Sequence, residues 1–329
     1  MSIADRIFIN MCQDILDHGT DTKGEKVRPH WDDGTSAYTI KQFGVCNRYD
    51  LRKEFPALTL RRTAIKSATD ELLWIWQKKS NNIHDLNSHI WDSWADEKGS
   101  IRKAYGYQFQ KKDRYNDITL EKLQTAFPEG HLETYPESNT EMFVHNRKDK
   151  NNKKVVYALS QNDVWYMDQV NRVIYDLRNT PYSRRILTSI YNFADLHDMA
   201  LHPCAYSMTF NVTKEPGSDR LILNTILNQR SQDILAANNW NVVQYSILTM
   251  MIAQVCGMIP GQFVHMIADA HIYDRHVDII KELISRQPLP APTVTLNPDI
   301  TDFYDFEPAD VMVENYQTHE QIHNIPVAV

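Results

Sequence analysis

The sequence predicts a mixed fold of helices and strands, and three observations lead there. Stretches with apolar residues at every third or fourth position recur along the chain, as amphipathic helices require. Short runs suited to strands lie between them. The 329 residues, 42% hydrophobic and 23% charged, are enough for one large domain or two ordinary ones.

In chain order, Met1 to Gly19 sets Ile3, Ile7, Phe8, Met11, Cys12, Ile15 and Leu16 at helical spacing. The segment is too broken by charge for a signal peptide, and no stretch approaches the ~20 apolar residues that span a membrane. A polar segment, Thr20 to Gly34, holds Arg28 and leads to extended runs at Ala37–Phe43 and Val45–Tyr49. Thr63 to Lys78 is a strong helix with broad apolar faces, and Glu71 sits inside its apolar run. Asn81 to Ser100, rich in Trp, Asp and Asn, reads as irregular. From about 111 to 163 the chain turns polar, with Pro-Glu turn signals and a hairpin tipped by Arg147 to Lys154. That stretch reads as a small lid or insertion in a single domain spanning 1–329, and its basic tip as solvated. A helix from Met167 to Asn179 follows, then strands at Arg185–Tyr191, Ala205–Val212 and Arg220–Gln229. A long apolar helix, Val242 to Gly257, a strand near Phe263–Ala268 and a helix near Tyr273–Arg286 come next. The last forty residues are proline-rich and extended.

The net charge of -7 argues against a general nucleic-acid coat but leaves room for a local phosphate pocket. Of four cysteines, Cys12, Cys46, Cys204 and Cys256, none forms a C-x-x-C pair, so no structural zinc or disulfide framework is expected. That suits a reducing cytoplasm with any special cysteine kept as a thiol. Cys204 closes the string Met199-Ala200-Leu201-His202-Pro203-Cys204. A free cysteine is most often a small buried apolar residue. A reactive one needs its pKa lowered, and Arg184, Arg185 and Arg230 are candidates to do so. Gln229-Arg230-Ser231-Gln232-Asp233 offers an arginine and a hydroxyl for a phosphate, plus a carboxylate. Asp269-Ala270-His271-Ile272-Tyr273 offers polar groups for a sugar hydroxyl. Glu71 is either a solvated helix residue or a partly buried carboxylate whose raised pKa lets it shuttle protons near neutrality. Together these strings describe a pocket that attacks a nucleotide covalently.

At these residues the chain resembles the thymidylate synthases over nearly its whole length. Asp70-Glu71-Leu72-Leu73-Trp74, Ile90-Trp91-Asp92-Ser93-Trp94, Tyr105-Gly106, Ser183-Arg184-Arg185, the Cys204 string, the Arg230 string, the His271 string and the terminal Pro326-Val327-Ala328-Val329 occur in the family's order. The 111–163 insertion resembles the longer small domain of some bacterial and phage members. The resemblance implies an α+β protomer with a large mixed sheet, helices on one face, and an obligate homodimer joined back to back through the sheets. It implies a cytoplasmic enzyme (the host's cytoplasm if the chain is phage-encoded) that needs neither metal, membrane nor nucleic acid. Its substrates are dUMP and 5,10-methylenetetrahydrofolate.

By the same resemblance, Cys204 adds to C6 of dUMP, C5 takes the one-carbon unit, and Glu71 manages proton transfers with ordered water. Tyr105 belongs with them in the catalytic set. Hydride from tetrahydrofolate completes the methyl group, giving dTMP and dihydrofolate. Arg28, Arg230 and Ser231, with Arg184 and Arg185 of the partner, clamp the phosphate. Gln229 and Asp233 belong to the nucleotide site, and His271 and Tyr273 hold the ribose. Asn241, eight residues after Asp233, reads uracil, because an amide can donate to O4 and accept from N3–H. Asp233, Trp91, Trp94, Leu201, Ala237, Trp240 and Arg61 serve the folate, and Val329 closes over both ligands.

The run Ile234-Leu235-Ala236-Ala237-Asn238-Asn239-Trp240 departs from the family pattern. Alanines stand for its leucine-glycine pair, and Asn239-Trp240 for its proline-phenylalanine pair. Ala268 also replaces a glycine. Room for water at Ala236 suggests an alternative product, 5-hydroxymethyl-dUMP with tetrahydrofolate released unoxidised. A non-catalytic nucleotide- or RNA-binding paralogue is a third reading, opposed by the retained thiol and carboxylate.

Overall fold

The computed structural model describes residues 2–148 and 154–328. The chain opens with α1 (Ile3–His18), capped by Ser2, whose hydroxyl accepts the Asp5 amide at 3.2 Å, and burying Phe8, Met11, Cys12 and Ile15. Gly19 ends it, because a Cβ there would lie 2.3 Å from the Ile15 carbonyl oxygen. After β1 (Thr20–Asp21) and β2 (Thr39–Asp50) come α2 (Ile65–Trp76) and the short α3 (Gly106–Gln110). The 111–163 region forms β3 (Lys112–Tyr115), α4 (Leu120–Ala126), β4 (Gly130–Tyr135), β5 (Thr140–Lys148) and β6 (Lys154–Gln161), continued by β7 (Val164–Asp168). The second half holds α5 (Gln169–Asn179), β8 (Leu187–Ser189), β9 (Ala205–Lys214), β10 (Leu221–Gln229), β11 (Gln232–Asp233), α6 (Asn238–Val255), β12 (Ile259–Tyr273) and α7 (Val277–Ser285). A hairpin, β13 (Thr293–Leu296) with β14 (Val311–Glu314), pairs within the proline-rich tail.

The architecture is α+β. The main sheet runs β1-β2-β12-β10-β9-β8, with β11 also on β12. It is mixed: β12 is parallel to β10 and antiparallel to β2. The other sheet, β3-β7-β6-β5-β4, is antiparallel throughout. Its Phe143, Tyr157, Ala158 and Met167 belong to the same hydrophobic cluster as the main core. One face of the main sheet is covered by α1, α6 and α7. Helix α6 is buried on all sides, with Val242, Val243, Ile247, Leu248, Met251 and Ile252 in the core beside the buried polar Asn238, Asn239 and Gln244. On the opposite face the register aligns Leu187, Thr209, Ile226, Val264 and Arg48 in one row and Met266 with Cys46 in the next. Leu187, Ile226 and Met266 are exposed there.

Several boundaries differ from those the sequence predicts. The Arg185–Tyr191 strand shortens to three residues, because β8 is an edge strand that pairs only with β9. Helix α6 starts at Asn238 instead of Val242. Its polar first turn looks like a loop in sequence, but Asn239 accepts the Leu58 amide at 3.3 Å and donates to the Thr63 hydroxyl. The strand near Phe263–Ala268 lengthens to fifteen residues, because β12 pairs with β2, β10 and β11. Apart from its ends at Arg147, Lys148 and Lys154, the expected hairpin tip lies outside the described residues, as does Val329. Among the described residues no helix is long and apolar enough to cross a membrane.

Candidate active site

Two packed helices, α2 and α6, enclose a buried carboxylate. Glu71 projects from α2 into buried surroundings. Its Oε1 accepts from Trp91 Nε1 at 2.7 Å; its Oε2 accepts from Gln244 Nε2 at 2.7 Å and from Trp240 Nε1. Burial raises the carboxyl pKa, and the three N–H donors oppose that shift. Trp91 is itself held edge-on by Trp94, with ring centres 5.6 Å apart. Trp240 and Asn239, two of the departures from the family pattern, thus both carry polar contacts: Trp240 serves the carboxylate and Asn239 anchors the helix end.

From Glu71 a line of side chains crosses the site. Gln244 Oε1 accepts from Asn241 Nδ2 at 3.1 Å, and Asn241 Oδ1 accepts from Gln229 Nε2 at 3.2 Å. Gln229 Oε1 meets His265 Nε2 at 2.7 Å. His265 is fully buried, and burial drives its pKa down to about 3. Between the unfolded value near 6.5 and about 3, the unfolded chain binds a proton that the folded chain refuses. Stability from this group is therefore full above about pH 6.5 and falls as pH falls, by on the order of 1 kcal/mol per pH unit. Urea unfolding from pH 7 to 4 should show a steeper acid loss for the wild type than for His265→Gln; parallel curves would contradict this.

Cys204 stands half-buried at the head of β9. The Arg230 guanidinium lies 3.6 Å from its sulfur and is fixed by the carbonyls of His202 and Pro203, at 2.7 and 3.0 Å. Burial pushes the thiol pKa up, while the charges of Arg230 and Arg28 pull it down. The Cys204 amide donates to the Tyr105 hydroxyl at 3.2 Å, and the Tyr105 ring lies 4.9 Å from Trp91, edge to face. Tyr105 thereby links the backbone of Cys204 to the tryptophan that holds Glu71. Its backbone is strained, with φ 45°. The next residue must be Gly106, since a Cβ there would lie 2.1 Å from the Ser80 carbonyl oxygen.

Asp233 ends β11 beside β12. Its Oδ1 accepts the amides of Leu235 and Ala236 at 2.9 and 3.0 Å and lies 3.6 Å from His276 Nδ1, a charge contact and not a hydrogen bond. Burial works to raise the Asp233 pKa, but His276 and the Ala236 amide outweigh it and the carboxyl sits below its usual range. His276 Nε2 faces the Pro326 carbonyl at 2.8 Å, tying the chain end to this region. His271 lies 5.1 Å from the Tyr273 ring and is fixed by Asp269 at 2.8 Å, while burial pushes the Tyr273 hydroxyl pKa up to about 12. Arg61 donates to the Leu235 carbonyl. Ala237 precedes the first turn of α6, and its carbonyl takes the Asn241 amide at 3.0 Å. Leu201 packs against the core, and Ser231 accepts the Gln229 amide through its backbone carbonyl at 3.2 Å. Arg28, Arg184 and Arg185 are exposed.

The fold thus gathers Cys204, Arg230, Tyr105, Trp91, Glu71, Trp240, Asn241 and Gln229 into one connected region. Arg184 and Arg185 are exposed in the turn before β8 and are not joined to this region. Sequence reasoning passed over Gln244, His265 and His276. The signal for Gln244 was present: an uncharged polar residue one helical turn after Asn241, on the same face of the helix. His265 and His276 gave no such signal. Among the described residues no group of three or more His, Cys, Asp or Glu side chains is arranged to hold a metal ion.

The model of the thymidylate synthase family matches residues 6–329. Thymidylate synthase 1 of Bacillus subtilis strain 168 is 34% identical over 326 residues, covering 98% of each chain. The thymidylate synthase of Bacillus phage phi3T matches to the same identity and extent. A solved structure, thermostable thymidylate synthase A from Bacillus subtilis, aligns with a TM-score of 0.77 at 34% identity over 99% of each chain.

Proposed function

Since the chain belongs to the thymidylate synthase family and is a one-carbon transferase that uses methylenetetrahydrofolate, we propose that it converts dUMP to dTMP through a covalent bond between Cys204 and C6 of the base. One observation carries this reading. A half-buried thiol lies beside a guanidinium, and the backbone amide of the same cysteine is linked through Tyr105 and Trp91 to a buried carboxylate held by three N–H donors. A thiol so placed can add to an electron-poor double bond, and a carboxylate of raised pKa can carry protons to and from the ring near neutral pH. The folate supplies the one-carbon unit and the hydride. Asn241 reads the base, Arg230 with Arg28 and Ser231 takes the phosphate, His271 and Tyr273 the ribose, and Asp233, Trp91, Trp94, Leu201, Ala237, Trp240 and Arg61 the folate. Closure by Val329 over the ligands belongs to the same reading. The reaction runs in a reducing cytoplasm.

Exposed Ala236, with alanine again at 237, favours one second reading: water enters beside the folate and traps the one-carbon unit as hydroxymethyl. The test is the mass of the nucleotide formed from dUMP and methylenetetrahydrofolate, with dihydrofolate followed in the same tube. Methylated product with equal dihydrofolate supports the synthase. Hydroxymethylated product without dihydrofolate overturns it in favour of the second reading.

The same proposal includes a homodimer formed through the open sheet face, with Arg184 and Arg185 reaching the partner's phosphate site. The exposed Ile226 and Met266 on that face support it. Ile226→Lys is expected to shift the light-scattering mass from dimer to monomer and to abolish turnover together. A monomeric wild type that turns over at full rate would rule the dimer out.

A further inference from the structure

We propose that Gln244 is a positioning residue that makes the pocket select uracil over cytosine, by holding the Asn241 amide in one of its two orientations. This rests on the reading of Asn241 as the residue that contacts the base.

The two ends of an amide look alike by shape, so its orientation must come from its partners. Here the partners leave one solution. Gln244 Nε2 faces Glu71 Oε2 at 2.7 Å and the Ala68 carbonyl at 3.2 Å, and both of these are acceptors. Its Oε1 must then face Asn241, so Asn241 presents Nδ2 to it at 3.1 Å. On the other side, Gln229 Nε2 is held by the Ser231 carbonyl at 3.2 Å, so Asn241 presents Oδ1 to Gln229, also at 3.2 Å. Backbone carbonyls that cannot rotate anchor both neighbours.

Reversing Asn241 would set its NH2 against the Gln229 NH2 and its oxygen against the Gln244 oxygen. Two hydrogen bonds would become two repulsive contacts in a mostly buried place. An amide has two N–H donors and two acceptor lone pairs, and the protein uses one of each. The remaining donor and acceptor match O4 and N3–H of uracil. Cytosine offers an amino group and a bare N3, so it needs the reversed amide that this arrangement forbids. Discrimination is therefore set one layer behind the residue that touches the base, and Gln244 ties it to the same carboxylate that moves protons.

The experiment is the Kd of dUMP and of dCMP by calorimetry for the wild type, Gln244→Leu and Gln244→Glu, with unfolding midpoints checked. Leucine fills the space but neither donates nor accepts, which removes one of the two contacts that hold the Asn241 amide and leaves only Gln229 opposing its reversal. The expected result is that the preference for dUMP over dCMP narrows at least tenfold, through tighter dCMP binding as well as weaker dUMP binding. Glutamate still accepts from Asn241 and, with a proton shared between its other oxygen and Glu71 Oε2, keeps the place of the glutamine, so it should hold the preference within about twofold while shifting the pH profile of kcat through that contact with Glu71. Should the leucine variant not fold, the glutamate variant carries the test alone. Equal weakening of both nucleotides by leucine, or a collapse of preference with glutamate, overturns the proposal. A wild type that binds neither nucleotide would instead overturn the functional reading on which it rests.

Discussion

On the proposed mechanism, Cys204→Ala is expected to lower turnover of dUMP by at least about three orders of magnitude, because it removes the thiol that adds to C6 and makes C5 nucleophilic. Binding of dUMP should survive, since the phosphate and base contacts come from other side chains. Incubation with 5-fluoro-dUMP and methylenetetrahydrofolate should give a covalent adduct with the wild type and none with the variant, read by the intact protein mass. The electrostatics add a second arm. Burial raises the thiol pKa, and Arg230 and Arg28 counter it. Arg230→Met removes the nearer charge, so the thiol should ionise at higher pH and the rate should climb later on the alkaline side. An adduct on Cys204→Ala would place the nucleophile elsewhere.

Glu71→Gln should lower kcat by roughly 10²- to 10⁴-fold, the range for losing a positioned general acid–base group. Its effect on KM should be smaller. Because burial raises the Glu71 pKa, its acidic limb in the kcat profile should lie above the ordinary carboxylate range. Below that limb the group is neutral and cannot accept a proton, so the rate falls as pH falls. The glutamine variant should lose that limb. Glutamine also cannot satisfy the site. All three neighbours, Trp91, Trp240 and Gln244, donate N–H groups, so whichever way the new amide turns it sets N–H against N–H. That mismatch should destabilise the fold by about 1–3 kcal/mol. A variant within tenfold of wild-type kcat that keeps its acidic limb would remove Glu71 from the mechanism.

Much of the site was legible because its strings are local. Cys204 with its preceding Pro203, the Arg230 run, and the His271–Tyr273 pair each lie on one strand or its end, where spacing alone sets neighbours. The part proposed for Asn241, reading the base, came only from the family resemblance. Gln244 was not singled out, although it stands one turn from Asn241, because a glutamine in an apolar helix carries no chemistry until its partners are known. Asn239 and Trp240 were legible only as departures. Their roles, anchoring α6 to Leu58 and Thr63 and donating to Glu71, depend on residues far away in sequence.

The order of residues was enough for the class of the fold and for the family, and it marked the residues proposed as nucleophile, proton carrier and phosphate clamp. Periodicity and ordered motifs record those directly. Only the tertiary structure decided where α6 begins, which donors surround Glu71, and which way the Asn241 amide faces. The physical reason is that helix and strand patterns reflect neighbours three or four residues apart. Amide orientation and buried pKa values are instead set by partners such as Glu71 with Gln244, 173 positions apart, which meet only once the core has closed.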